Sequence, residues 1–243
     1  MAQGKLYIGT SGWHYTHWRG NFYPEKCKPA DFLDYYSSRF AVVEINNTFY
    51  RLPEKKTLAD FHRRTPADFI FAVKASRFIT HMKKLKEAGK QLDNFLAAIE
   101  PLAEKIGPVL FQLPPRWHRN LERLAEFIAA LPAARRWVFE FRDESWFDEG
   151  VYDLLENANA AFCLYHLEER LSPRRITADF VYIRLHGPGA AYEGDYAAED
   201  LAGWAGAIST WRRQGRDVYV FFDNDQNAYA PKNALELKEM LEK

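Results

Sequence analysis

Residues 137–142 read Trp-Val-Phe-Glu-Phe-Arg, and the alternation within them decides the fold. Side chains along a strand point to opposite faces with period two. Phe139 and Phe141 therefore share one face, and Glu140 and Arg142 share the other. The same pattern recurs along the chain. Val43 and Ile45 oppose Glu44 and Asn46; Phe71 and Val73 oppose Lys74 and Ser76; Phe111 and Leu113 oppose Gln112; Ile183 and Leu185 oppose Arg184 and His186.

Working outward, eight short runs rich in Val, Ile, Phe and Tyr read as strands: Leu6–Thr10, Ala41–Asn46, Phe69–Lys74, Val109–Leu113, Trp137–Arg142, Ala161–Tyr165, Val181–His186 and Val218–Asp223. Helical patterns lie between them at Pro29–Arg39, Glu54–Arg64, Lys90–Lys105, Asn120–Leu131, Asp148–Asn157, Glu199–Gln214 and Lys232–Leu241. Gly107-Pro108 and Gly215 read as stop signals. The segment Leu167–Asp179 contains Ser172-Pro173 and reads as a poor or absent helix. Strands alternating with helices are parallel, joined by right-handed crossovers. Eight such units in 243 residues predict an α/β fold, a single (β/α)8 TIM barrel spanning 1–243. An open doubly wound sheet would compete, but no glycine-rich phosphate loop of the required form follows the first strand.

Composition narrows the function classes. Lys plus Arg (33) equals Asp plus Glu (33), so any nucleic-acid binding needs a local patch. No stretch approaches the roughly 18–20 apolar residues of a membrane span. The first residues lack the apolar run of a secretory signal. Cys27 and Cys163 have no CxxC spacing, which excludes a thiolate zinc site and fits a cytoplasmic protein. The aromatic count, 7 Trp, 13 Tyr and 18 Phe, exceeds what a core alone needs.

The apolar parity of the five alternating strands must face the helices, so the polar parity points into the barrel. An ordinary barrel fills that space with branched apolar residues. Here Glu44, Lys74, Gln112, Glu140, Arg142, Arg184 and His186 occupy it. Such groups must pair with one another, reach water or meet a ligand, because an unpaired buried charge costs several kcal/mol. An ion-pair plug and a functional pocket can coexist, one layer above the other.

Several motifs then resemble a known family. They are Ile8-Gly9-Thr10-Ser11-Gly12-Trp13 with Tyr15, Trp18, Gly20 and Phe22-Tyr23-Pro24; Val43-Glu44-Ile45-Asn46 with Thr48-Phe49-Tyr50 and Pro53; and Phe71-Ala72-Val73-Lys74-Ala75-Ser76 with Ile79-Thr80-His81. Gly107 to Pro115, Glu140-Phe141-Arg142 with Ser145-Trp146, Tyr182 to Gly187, and Phe222-Asp223-Asn224-Asp225 complete the set. The chain resembles the YecE-like family, also called domain of unknown function 72, over nearly its whole length. The resemblance implies a TIM barrel and no established activity. The architecture is similar to sugar isomerases and to apurinic endonucleases of the endonuclease IV type, an analogy of fold alone. Where the family pattern has Asn-Asn-Asp after the last strand, this chain has Asp223-Asn224-Asp225.

The candidate residues fall into three sets. Imidazole titrates near neutrality, which makes His81 a candidate general acid or base. Glu140 is a second proton-handling candidate, whereas Glu44 reads as neutralised by Lys74, Arg142 and Arg184. Guanidinium groups fit phosphate or carboxylate, so Lys74, Arg77, Arg142 and Arg184 suit a small anionic or sugar-like ligand. Asn46, Ser76, Gln112, His186 and Asn224 are further ligand-binding candidates at strand ends. Trp13, Tyr15 and Trp146, among loop aromatics that include Trp18, Tyr50, Trp117 and Tyr229, could stack on it.

A metal reading uses His81, Glu140, His166, His186 and Asp223. No HxH or HExxH motif supports it, and the cations at the same mouth would repel a metal ion, so no cofactor is expected. No GxSxG elbow supports a nucleophilic serine, and Cys163 reads as inert core. The leading expectation is an enzyme, hydrolytic or isomerising, acting on an anionic or sugar-phosphate-like ligand at the carboxyl-end mouth. The alternatives are a nucleic-acid-binding protein, using a basic groove from Lys83 and Lys84 to Arg116 and Arg119, and a non-catalytic small-ligand sensor. The oligomeric state is left open.

Overall fold

The computed structural model describes residues 2–242. Nine strands form: β1 (Leu6–Thr10), β2 (Val42–Ile45), β3 (Ile70–Lys74), β4 (Ile106–Gln112), β5 (Trp137–Glu140), β6 (Ala161–Leu167), β7 (Arg170–Leu171), β8 (Phe180–Leu185) and β9 (Asp217–Phe222). The α-helices are α1 (Phe32–Ser37), α2 (Asn47–Tyr50), α3 (Lys55–Arg64), α4 (Ala88–Ile99), α5 (Leu121–Ala129), α6 (Glu149–Asn157), α7 (Ala198–Arg213) and α8 (Tyr229–Glu242). The strand order is β1-β9-β8-β6-β5-β4-β3-β2, with β7 appended to β6. The sheet of eight strands, β7 apart, is that of a (β/α)8 barrel.

The ends of that order meet at Gly9. A Cβ added there would lie 2.2 Å from the Val42 carbonyl oxygen, so only glycine lets β1 approach β2 so closely. The Tyr36 hydroxyl, from α1, completes the seam. It accepts from the Thr10 amide at 2.8 Å and donates to the Val42 carbonyl at 3.1 Å. A side chain thus relays the hydrogen bonding between these strands at that point.

The eight predicted strands all form, the first with its predicted bounds and each of the others with at least one end shifted. The predicted helix at Lys90–Lys105 divides. Its α-helical part ends at Ile99, and Glu100–Lys105 continues as a 3-10 helix with Pro101 near its start. Proline has no amide to donate, so the α pattern stops where Pro101 enters. The last helix starts at Tyr229 rather than Lys232, and Pro231 falls in its first turn, where a missing amide costs nothing. Among the elements without a predicted counterpart are α2 and a π turn at Phe78–Met82.

No helix forms between β6 and β8, in line with the expectation. The segment instead makes the short β7 hairpin and supplies hydroxyls to β6. Ser172 Oγ accepts from the Tyr165 amide at 2.9 Å, and Thr177 Oγ1 accepts from the Phe162 amide at 2.8 Å. Those buried donors would otherwise lack partners.

The chain separates into two compact units. One comprises the residues up to Glu44, Leu164–Arg174, and those from Asp179 onward; the other comprises Ile45–Cys163 and Arg175–Ala178. Among the described residues, no helix is long and apolar enough to cross a membrane.

Candidate functional site

In the first unit the polar parity of β2 and β8 converges. Glu44 is fully buried and Arg184 is 1% exposed. The Arg184 Nε lies 3.1 and 3.0 Å from the two Glu44 oxygens, and its Nη2 lies 2.7 Å from Oε1. The same Nη2 reaches Asp223 Oδ2 at 3.1 Å. Tyr182, two residues before Arg184 and on the same face, donates to Glu44 Oε2 at 2.6 Å, and Ser11 donates to Oε1 at 2.8 Å.

His186 closes this network. Its Nδ1 lies 3.0 Å from Asp223 Oδ2 and its Nε2 lies 3.3 Å from Arg184 Nη1. A carboxylate accepts and a guanidinium only donates. Both contacts are satisfied when the imidazole is neutral with its proton on Nδ1. Glu44, Asp223 and Arg184 thereby spend their hydrogen-bonding capacity largely on one another, which is what a buried ion cluster needs to persist.

Around it, Tyr15 donates to the Ser11 carbonyl at 2.9 Å. Burial, and then the Asp223, Asp225 and Glu44 charges, push its phenol far above the usual range. Burial and Asp223 likewise raise the Asp225 carboxyl. Trp13 is buried at 4% exposure, its ring against His14. Asn224 is fully buried. Its Nδ2 donates to the Gly194 carbonyl at 2.8 Å and to Asn233 Oδ1 at 2.9 Å, while its Oδ1 has no partner.

The second unit holds a buried pair at the end of β5. Glu140 is fully buried, and the Arg142 side chain, 8% exposed, bonds it through Nε. Cys163 Sγ lies 3.9 Å from the other Glu140 oxygen. Register explains the meeting: Gln112 pairs with Glu140 across β4 and β5, and Phe139 with Phe162 across β5 and β6, so Cys163 shares the face of Glu140. Trp146 is also fully buried. It stacks on Phe141 at 5.0 Å and donates its indole N–H to the Trp117 carbonyl.

A second cluster of this unit gathers around Phe49, which α2 supplies. The Lys74 ammonium, at the end of β3, sits 4.5 Å from the Phe49 ring centre. The His81 ring meets Phe49 edge-on at 5.0 Å. Thr48 Oγ1 donates to the Lys74 carbonyl at 2.6 Å and fixes α2 against the strand end. The π turn after β3 presents His81, and Thr80 Oγ1 lies 2.9 Å from its Nδ1. The Thr80 hydroxyl also lies 3.4 Å from the Ser76 carbonyl, which can only accept. Both contacts hold when Thr80 donates to Ser76 and accepts from a protonated Nδ1. The Nε2 of His81 then carries the lone pair. Burial, then Lys74 and Arg77, push the imidazole down to about 4.

Ser76 Oγ accepts from the Phe78 amide at 3.2 Å. The Asn46 Oδ1 is a buried acceptor with no partner. Gln112 is partly exposed at the end of β4. Among the described residues, no three His, Cys, Asp or Glu side chains converge as a metal-binding group.

The structure thus brings Arg184, His186 and Glu44 together in one unit, and in the other it brings His81 and Lys74 onto Phe49 and pairs Glu140 with Arg142. Sequence reasoning missed Tyr182, although it shares the parity of Arg184. It also missed Phe49, which joins Lys74 to His81.

The family model of the protein of unknown function DUF72 matches residues 7–243. The chain is 25% identical to the UPF0759 protein YunF of Bacillus subtilis, covering 98% of this chain and 95% of that protein. It is 30% identical to the UPF0759 protein YecE of Escherichia coli over 60% of this chain and 51% of that one. A crystal structure of a DUF72 family protein from Thermotoga maritima superimposes with a TM-score of 0.89 at 32% identity, covering 98% of this chain and all of that one. A DUF72 family protein from Enterococcus faecalis, 18% identical and covered in full along with this chain, shares the fold with a TM-score of 0.82. The chain belongs to the DUF72 family, whose function is unknown.

Proposed function

We propose that the protein is an enzyme, a hydrolase or isomerase, that acts on a small anionic or sugar-phosphate-like ligand at the carboxyl ends of the strands of the second unit. The observation that carries this reading is the grouping of Lys74 and His81 on Phe49. Lys74 and Arg77 supply the positive field. His81 stands in that field as a neutral base, with Nε2 unprotonated. An imidazole held far below neutrality is a weak base in the free protein. An anion bound beside Lys74 and Arg77 cancels their part of the depression and raises the basicity of His81, while the larger part, from burial, stays, so the imidazole is a better proton acceptor with ligand present than without it. Glu140, buried and ion-paired, is read as the group that holds Arg142 in place. The match of the family model from residue 7 to 243 supports one domain spanning 1–243.

The test follows His81 by NMR while inorganic phosphate and a series of sugar phosphates are added to the full chain. The expected result is a rise of its titration midpoint from about 4 toward 6.5, with turnover of one sugar phosphate that His81→Gln abolishes. A midpoint indifferent to every anion, with no turnover, would overturn the reading.

A second reading, nucleic-acid binding, has one observation in its favour. Lys84 Nζ lies 6.0 Å from the Trp117 ring and so joins the loop after β3 to the loop after β4. Against it, Lys83 is bound to Glu87 and Arg119 to Asp148, which removes charge from the surface. Binding to single-stranded DNA that weakens steeply with salt would favour this reading over the first.

A further inference from the structure

The loop that follows β8 covers a histidine. His186 is fully buried, and its Nδ1 lies 3.0 Å from Asp223 Oδ2. An imidazole oriented by a carboxylate in this way is a proton-handling arrangement. Tyr192, 45% exposed, stands edge-on to that imidazole with the ring centres 5.5 Å apart. The Tyr192 amide donates to the His186 carbonyl at 2.7 Å, so the chain leaves the strand end and comes back to it. Residues 187–194 thus make a compact loop that lays a ring on the group from which it starts. All of these residues belong to the first unit.

The frame around the loop is fixed. His186 donates its amide to the His166 carbonyl at 2.8 Å. Tyr196, 3% exposed, donates its own amide to Asn233 Oδ1 at 3.2 Å and accepts from the Gly187 amide at 3.1 Å. Between these points the chain turns at Gly187, with φ +117°, and at Gly194, with φ +93°. A Cβ on Gly187 would lie 2.1 Å from the Glu193 carbonyl oxygen, so the closed loop requires glycine there. Tyr192 itself has φ +68°, a left-handed conformation that is costly for a bulky residue and persists only while its surroundings hold it. Two side chains hold the Gly194 end. Asn224 Nδ2 donates to the Gly194 carbonyl at 2.8 Å, and Oε1 of the exposed Gln226 accepts from its amide at 3.3 Å. Glycine turns at both ends, a strained residue between them and a long bond from an exposed side chain mark a loop that opens. We infer that residues 187–194 are a lid. Closed, it sets Tyr192 between the His186 imidazole and solvent. Opened by rotation at Gly187 and Gly194, it admits a ligand to the imidazole that Asp223 orients.

Diethyl pyrocarbonate, which modifies accessible neutral imidazoles, tests the lid on the full chain at pH 7, with each histidine followed by mass spectrometry. His118, whose side chain is 86% exposed, serves as the internal reference. In the wild type His186 should react far more slowly than His118. Tyr192→Ala removes the cover and should bring His186 close to the His118 rate. Gln226→Ala leaves the cover in place and removes only one bond of the latch. It should speed His186 about three- to tenfold, the scale of one net hydrogen bond, with amide-exchange protection of β8 unchanged. Both side chains are exposed, so circular dichroism should show an intact fold in each variant. A wild-type His186 that reacts as fast as His118, or one indifferent to Tyr192→Ala, would show that Tyr192 covers nothing. A rate that ignores Gln226→Ala would make the loop a static cover, and a faster rate accompanied by lost β8 protection would mean that the strand unfolds. Each of these results would overturn the lid.

Discussion

Arg184 and Glu44 lock together with no solvent between them: two guanidinium nitrogens contact the carboxylate at 2.7 to 3.1 Å, and neither side chain is more than 1% exposed. A pair so buried holds only because Tyr182, Ser11, Asp223 and His186 complete its hydrogen bonds. Removing one partner strands a charge in a medium that cannot solvate it. Arg184→Met should therefore cost about 3–5 kcal/mol in urea unfolding. Adding Glu44→Leu to that variant should recover part of the loss, since it removes one of the two carboxylates left without a counter-charge. A single-variant loss under about 1 kcal/mol, the scale of an exposed pair, would show that water reaches the cluster.

The contact between Gly9 and Val42 yields a prediction in the same unit. Gly9→Ala places a methyl group 2.2 Å from a backbone oxygen that cannot move without parting β1 from β2. The variant should be among the most destabilised single substitutions in the chain. Tyr36→Phe tests the other half of the seam. It leaves the Thr10 amide and the Val42 carbonyl without their shared hydroxyl, at a cost of about 1–3 kcal/mol. A Tyr36→Phe protein as stable as wild type would mean that the two strands bond directly once the hydroxyl is gone.

The barrel was legible because period two shows in single strands. Phe139 and Phe141 against Glu140 and Arg142 place the charges on one face without any knowledge of partners. What the charges do was less legible, since pairing depends on which strands become neighbours. Tyr182 lies on the face of Arg184, but a tyrosine in an apolar strand reads as core. Trp146 reads as a loop aromatic, yet it lies fully buried on Phe141. Phe49 belongs to the Thr48-Phe49-Tyr50 motif, but no local pattern marks it as a site residue. Its helix is four residues long, too short for a 3.6-residue period to appear, and its role comes from contacts with Lys74 and His81, both far along the chain.

The last prediction concerns pH. In the folded protein, burial, Lys74 and Arg77 hold the His81 imidazole at about 4, against 6.5 for the free group. The unfolded chain therefore binds a proton at His81 that the folded chain refuses, and stability rises with pH between those two values. The contribution is fully present above pH 6.5 and is lost as pH falls through 4. Arg77 is exposed, so Arg77→Gln should leave the fold intact and raise the His81 midpoint by removing one of the two cations that act on it. His81→Asn should flatten this part of the stability profile. NMR titration of the His81 ring in wild type and Arg77→Gln decides the matter. A wild-type midpoint near 6.5 would show that neither burial nor the two cations depress the imidazole, and one that ignores the loss of Arg77 would show that the Arg77 charge does not reach it; either would remove the physical basis for a ligand-activated base.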